Sequence, residues 1–292
     1  MKTQKSFVDT QQKGILFLVG TPIGNLNDIS YRALETLKES DIIAAEDTRQ
    51  TLKLLNHFNI KKQIVSYHEH NKDIRGKDLL AKLKEGSKVA LVSDAGMPSI
   101  SDPGYELTVE AINHNIPVIP IPGPNAALTG LIVSGLSSNR FTFAGFLPRV
   151  KKLLIEELTK LKKYNETIIC YESPHRIQKT LQIMYEILGN RNVALVRELT
   201  KKHEEIIRGS IGEIIDYTEN NPVKGEITLV IEGNKDKDDK TYLMEEWWQN
   251  ISITEHVDHY IKSGKSSKEA IKATSIDRKM SKRKVYQEYH QL

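Results

Sequence analysis

One pattern recurs five times in the first 135 residues: a short apolar run, then a stretch with helical spacing. The runs are residues 14–19, 42–45, 63–66, 89–92 and 117–120, and the helical stretches are 29–39, 50–58, 73–85, 105–114 and 128–134. The runs are continuously apolar rather than alternating, which suits strands buried on both faces. Strands that alternate with helices predict a parallel sheet with helices on both sides. Three of the five strand ends run into Gly/Pro loops: Gly-Thr-Pro-Ile-Gly-Asn-Leu (20–26), Ser-Asp-Ala-Gly-Met-Pro-Ser-Ile-Ser-Asp-Pro-Gly (93–104) and Ile-Pro-Gly-Pro-Asn-Ala-Ala (121–127). In open α/β folds ligands bind outside the carboxyl ends of the strands, so three loops on one rim point to a binding site.

The 93–104 loop is longer than a connection needs. Its second half reads as a helix start, with Asp102 as N-cap and Pro103 at the first helical position. The 20–26 loop lacks the lysine of a P-loop and the GxGxxG spacing of a dinucleotide site. Asn27 and Asp28 are expected to cap the helix after it. Glu46-Asp47-Thr48-Arg49, at the next strand end, fits either proton transfer or a helix cap with an ion pair. His68 and His70 have no evident third ligand and no HExxH context, so no metal is expected.

Residues 141–148 read as a strand and a break, and the domain boundary is placed at 148. Beyond it, strands at 167–171, 192–196, 205–208 and 225–231 alternate with helices at 151–163, 177–188 and 210–217, predicting a second, partly antiparallel α/β domain over 149–234. Two polar clusters follow its strands, Glu172-Ser173-Pro174-His175-Arg176 and Arg197 to Glu204. Each suits catalysis or phosphate binding. A polar segment precedes the first strand (1–13), a charged linker follows the second domain (235–242), and a basic helical C-terminal domain spans 243–292. Residues 261–292 hold nine Lys/Arg against three Asp/Glu, a net of +6 in a chain of net +4. Such a tail suits a polyanion, RNA foremost, or is simply a solvated face. The adjacent Trp247 and Trp248 read as packing residues. One cysteine, Cys170, excludes an internal disulfide and sits in an apolar run as a buried thiol. With no run near membrane-span length and no signal-peptide core, a cytoplasmic protein without a membrane partner is expected.

Seven motifs in order carry a resemblance: the three rim loops, Ala-Glu-Asp-Thr-Arg (45–49), Gly-Phe-Leu-Pro (145–148), Tyr-Glu-Ser-Pro-His-Arg (171–176) and Arg-Glu-Leu-Thr-Lys (197–201). Together they resemble the ribosomal RNA small-subunit methyltransferase I family of the tetrapyrrole methylase superfamily, over about residues 14–233. The resemblance implies two tetrapyrrole methylase-like α/β domains with S-adenosylmethionine in the cleft between them, and a homodimer. It implies methyl transfer to the ribose 2′-oxygen of a cytidine in the decoding region of 16S rRNA, in the small ribosomal subunit. Carried over by motif, the cofactor contacts are Pro22, Asp94, Ala95, Gly96, Ser99, Ile100, Asn125, Ala126, Phe146 and Leu147. Glu46, Asp47, Glu172, His175 and Glu198 are candidates for a general base or for positioning, with no choice among them. Arg49, Arg176, Arg197 and Lys201 are expected to hold phosphates. Two other readings stay open: a small-molecule, tetrapyrrole-type methyltransferase, and a non-catalytic RNA-binding assembly factor.

Overall fold

Five strands of the first half, β1 (Ile15–Val19), β2 (Ile42–Ala45), β3 (Gln63–Ser66), β4 (Lys88–Val92) and β5 (Val118–Ile121), pair in parallel in the order β3-β2-β4-β1-β5. The computed structural model describes residues 3–4, 14–235, 248, 251–278 and 280–290. The polar segment 1–13, the linker 235–242 and Trp247 therefore lie outside the described residues, apart from residues 3, 4 and 235. The chain divides into two compact units, 1–235 and 236–292.

The apolar runs have the predicted consequence. Successive side chains of a strand point to opposite faces, and here both faces are buried. Ala44, Val89 and Leu91 join Leu79 and Leu83 of α3 (Lys72–Lys84) and Leu107 and Ala111 of α4 (Tyr105–Asn113). On the other face Ile43, Ala45, Ala90 and Val92 meet Ala33 and Leu37 of α1 (Tyr31–Glu39) and Leu55 of α2 (Thr48–His57). The cap of α1 is Ser30, whose Oγ accepts the Ala33 N–H at 3.1 Å. Asn27 and Asp28, the expected caps, form a short 3-10 turn instead.

The fifth helix, α5 (Ala126–Ser134), is capped by Asn125 and leaves the first sheet. Its Ala127 and Leu131 pack with Ile169, Ala194, Val196 and Val230 of a second sheet. That sheet is formed by β6 (Phe141–Phe146), β7 (Thr167–Glu172), β8 (Asn192–Arg197), β9 (Glu205–Ser210) and β10 (Ile227–Ile231), in the order β6-β7-β10-β8-β9. Only β6 and β7 run parallel; the other pairs are antiparallel, as expected. Its outer face is covered by α6 (Lys151–Leu161), α7 (Ile177–Leu188) and α8 (Ile211–Asn220). Because β6 belongs to this sheet, the boundary placed at 148 falls too late. The change of sheet comes before Phe141, and an apolar strand cannot declare which sheet it will join. Cys170 is fully buried in this core, and burial pushes its thiol far above the usual range, so it is inert.

The unit 236–292 contains α9 (Ile253–Lys262), α10 (Ser267–Asp277) and α11 (Lys282–His290) around a small core of Val257, Ala270, Ile271 and Val285. The helices α9 and α10 start with capping boxes, Ser252 with Glu255 and Ser266 with Glu269. Trp248 is buried and stacks on His256, as a packing residue would. Among the described residues no helix is long and apolar enough to cross a membrane.

Candidate active site

The Gly/Pro loops meet because two of them cross backbone on backbone. A Cβ on Gly20 would lie 2.7 Å from the Gly123 Cα, and one on Gly123 would lie 2.8 Å from the Gly20 Cα. Thr21 and Gly96 exchange backbone hydrogen bonds of 2.9 and 3.1 Å, which ties in the third loop. The 20–26 loop also reaches the second sheet's side of the molecule. The Asn25 N–H donates to the Thr200 Oγ1 at 3.0 Å, and Gly24 lies against Lys201 and Thr200. So the rim of the first sheet and the strand ends of the second enclose one cleft.

Two adjoining cavities lie in this cleft. The first, of about 340 Å³, runs from Asp94–Met97, Asp102 and the start of α5 to Phe146, Tyr171 and Gly225–Thr228. The second, of about 540 Å³, is lined by Pro22, Leu26, Gln50, Lys53 and Lys201, among others. Ile23, Asp94, Ala95 and Glu226 line both and form a shared wall. The first cavity's lining carries four carboxylates, Asp94, Asp102, Glu172 and Glu226, and no lysine, arginine or histidine. Its remaining walls are largely apolar, including exposed Ile100 and Phe146. Arg176 and Lys201 partner Glu172 and Glu226 from outside this lining, which leaves Asp94 and Asp102 to give an apolar slot its acidic character, a fit for a ligand that is part flat and apolar, part cationic.

Most of the expected cofactor contacts are here. Asp94, Ala95, Gly96, Ile100, Asn125, Ala126 and Phe146 line the first cavity, and Pro22 lines the second. Ser99 and Leu147 line neither. Leu147 is buried in the second sheet's core. The Ser99 Oγ is buried without a hydrogen-bond partner and turns toward Gly104.

Three of the five candidate bases, Glu172, Asp47 and Glu198, are engaged by other groups of the fold. Glu172 is buried: its Oε1 accepts the Ser173 N–H at 2.7 Å, its Oε2 accepts the Thr180 hydroxyl at 2.7 Å, and Arg176 stands 3.3 Å away. Asp47 is the N-cap of α2 and holds Arg49, whose hydrogen bonds keep the Asp47 carboxyl below its usual range. Burial pushes Glu198 up, but bonds from the Glu226 N–H and the Lys201 ammonium outweigh it and leave its carboxyl low. His175 is exposed and lines neither cavity. Glu46 is raised by burial and then by the charge of Asp94, but it lines neither cavity.

The expected phosphate ligands are likewise occupied. Arg176 donates to the carbonyls of Leu147 and Pro148 at 3.3 and 2.8 Å, beside its contact with Glu172. Arg197 pairs with Glu205 at 2.5 Å, and Lys201 bridges Glu198 and Glu226 at 3.0 Å each. Arg49 is exposed but bound to Asp47.

Asp102 is the residue the sequence misplaces. It does not cap α4: the helix starts after Gly104, whose φ is +145°, with no side-chain cap. Ser99 and Ser101 also hold positive φ, 69° and 64°, and the loop turns Asp102 back into the first cavity. Such backbone strain on non-glycine residues is typical of ligand loops. Burial, then the charge of Glu46, push the Asp102 carboxyl up to about 7, with Asp94 adding and the Ser93 hydroxyl opposing. Tyr171 lines the same cavity. Its phenol is raised by burial first and further by Asp102, against a hydrogen bond from the Ala127 N–H. The Asp-Pro-Gly sequence favours an N-cap reading, and only the run of positive φ angles overrides it.

This arrangement, a parallel α/β sheet joined by α5 to a mixed sheet with the loops meeting in the cleft, is that of the tetrapyrrole (corrin/porphyrin) methylases, whose family model matches residues 16–215. A solved cobalt precorrin-4 methyltransferase shares the fold at 16% identity and a TM-score of 0.59, over 78% of this chain and 98% of that one. Within that class the chain belongs to the ribosomal RNA small subunit methyltransferase I family. The protein of that name from Halalkalibacterium halodurans is 55% identical over the full length of both chains. That from Thermotoga maritima is 50% identical over 222 residues, which cover 76% of this chain and all of the relative.

Proposed function

We propose that this methyltransferase carries the methyl group of S-adenosylmethionine to the ribose 2′-oxygen of a cytidine in the decoding region of 16S rRNA, on the small ribosomal subunit, and works as a cytoplasmic homodimer. The observation that carries the reading is the pair of cavities with one shared wall. A donor in the first and a nucleotide in the second would meet across Asp94 and Ala95. The residues of the first cavity fit the cofactor. Apolar walls suit adenosine, and Asp94 and Asp102, the two lining carboxylates without an ion pair, suit a sulfonium. The second cavity supplies Lys53 and Gln50 for a sugar-phosphate.

When bound, S-adenosylmethionine supplies an electrophilic methyl group on a positively charged sulfur. The chain's own residues hold the two reactants in line, which lowers the barrier by proximity, and receive a proton. Asp102 is the acceptor we assign in place of the five earlier candidates. A carboxyl near 7 matches the working pH of a general base. Beside a cation it would ionise, and because it lines the first cavity only, it would take the proton of a hydroxyl that reaches past the shared wall toward the methyl donor. Without a cation in the cavity, burial and the charges of Glu46 and Asp94 favour the protonated form of Asp102, so it would keep a proton it had received. Charge would thus be balanced within the cavity.

The test uses small subunits from a strain lacking this protein, incubated with the pure protein and radiolabelled S-adenosylmethionine. Label on the 2′-oxygen of one decoding-region cytidine is expected. Cofactor binding without label on the subunit would replace this reading with a small-molecule methyltransferase. Neither label nor cofactor binding would leave an RNA-binding assembly factor.

A further inference from the structure

We infer that the groove between α10 and α11 is a binding site for the phosphate backbone of RNA, so that affinity for the substrate lies in the C-terminal unit while transfer lies in the other. The inference rests on the proposed rRNA substrate. A cavity of about 570 Å³ separates these two helices, lined by Ser267, Lys268, Ile271, Lys282, Arg283 and Tyr286. No acid lines it. Lys268, Lys282 and Arg283 are exposed, and none makes an ion pair or hydrogen bond within the described residues.

The free positive charge has a structural cause. Among the described residues, this unit spends most of its acids internally. Glu255 and Glu269 close the capping boxes on Ser252 and Ser266. Asp258 accepts the Tyr289 hydroxyl at 2.9 Å, and Asp277 accepts the Tyr260 hydroxyl at 2.5 Å while facing His256. Of its described acids only Glu288 has no such bond. The bases at the groove are left to solvent, where they can displace counterions from a polyanion. Tyr286 adds a ring, 49% exposed, at the edge of the groove, suited to stacking on a base or ribose. The four bases expected to hold phosphates in the other unit, Arg49, Arg176, Arg197 and Lys201, instead all hold carboxylates. The Thermotoga relative is matched in full by 222 residues, fewer than the 235 of the first unit alone. A family member of that length has no room for both units, which fits the C-terminal helices adding affinity rather than chemistry.

The test titrates the full chain into a fluorescein-labelled transcript of the 16S decoding region, by anisotropy, at several salt concentrations. The groove variant is K268Q/K282Q/R283Q. The control, K262Q/K272Q/K284Q, removes the same charge from exposed lysines that do not line the groove. The groove variant is expected to bind roughly tenfold or more weakly at ~150 mM salt, with a salt slope smaller by about 2–3. The control is expected to stay within about threefold of wild type. Tyr286→Ala should weaken binding by about fivefold with the slope unchanged. Unaltered circular dichroism and S-adenosylmethionine affinity confirm that each variant is folded. Equal losses in both triple variants, or none in the groove variant, overturn the groove while leaving the methyl-transfer reading intact. A wild-type protein that labels no subunit and binds no transcript overturns both.

Discussion

A single carboxyl group carries the sharpest prediction. Asp102 sits at about 7 where an ordinary aspartate would be near 3.8. It ionises as pH rises through neutrality, and each ionised group adds attraction for a cation in the cavity. Affinity for S-adenosylmethionine should therefore rise severalfold from pH 6 to pH 8, and affinity for the uncharged-sulfur product should rise less. In Asp102→Asn the slope should flatten, and single-turnover methyl transfer should fall by about a hundredfold or more. A calorimetric pH series beside the rate measurement decides it: a wild-type rate in the variant removes Asp102 as proton acceptor. The linkage to stability has the opposite sign. A raised carboxyl pKa costs nothing below the unfolded value and costs most once pH passes 7, so the asparagine variant should be at least as stable as wild type at pH 8. Arg176 makes a second prediction at this scale. Its guanidinium ties the carbonyls after β6 to buried Glu172. Arg176→Ala should lose about 2 kcal/mol or more in denaturant titration, because it strands a buried carboxylate. Weaker RNA binding at unchanged stability would instead restore Arg176 to the phosphate ligands.

Among the elements, the loops decide the site, and they are where the sequence is both most and least readable. Apolar runs and helical spacing place every strand and helix of the first half within a few residues, because burial on two faces leaves no other pattern. The motif order also finds Asp94–Gly96, Asn125, Ala126 and Phe146, all of which line the first cavity. What the sequence hides is partnership. Glu172, Glu198, Arg176 and Lys201 look like free chemistry in a row of letters, yet they neutralise one another or hold main-chain groups. Membership of β6 in the second sheet is set by pairing with β7, some 20 residues away, which local periodicity cannot express. The crossing of Gly20 over Gly123 is equally non-local, and it is testable. Gly20→Ala places a methyl group 2.7 Å from another backbone atom. Two loops must then move apart, at about 1–3 kcal/mol, and S-adenosylmethionine affinity should fall with stability. Full affinity in a destabilised variant would show that the crossing supports the fold but not the cofactor loops.

At the scale of the whole molecule, the two units carry unequal reserves. The first has several buried clusters on two sheets, whereas the described part of the second rests on a cluster of Val257, Ala270, Ile271 and Val285, with buried Trp248 beside a polar centre. That centre is His256, which is buried, stacks between Trp248 and Tyr260, and accepts from the Arg278 guanidinium at 3.1 Å. Burial, then the Arg278 charge, lower its pKa below the ordinary 6.5, with Asp277 opposing. The unfolded chain therefore binds a proton there more readily than the folded one. Stability contributed by neutral His256 is intact above about 6.5 and is lost as pH falls below it. Both tryptophans of the chain, 247 and 248, belong to the second unit, so their emission reports on it alone. Acidification from pH 7 to pH 5 should shift that emission to the red and lower its thermal midpoint. The helical dichroism, dominated by the larger unit, should hold, and so should cofactor binding once corrected for Asp102. His256→Phe keeps a ring between Trp248 and Tyr260 without a titrating nitrogen, and should flatten the response. If fluorescence and dichroism melted together at every pH, the two units would share one cooperative transition, and the separation of affinity from chemistry would lose its structural basis.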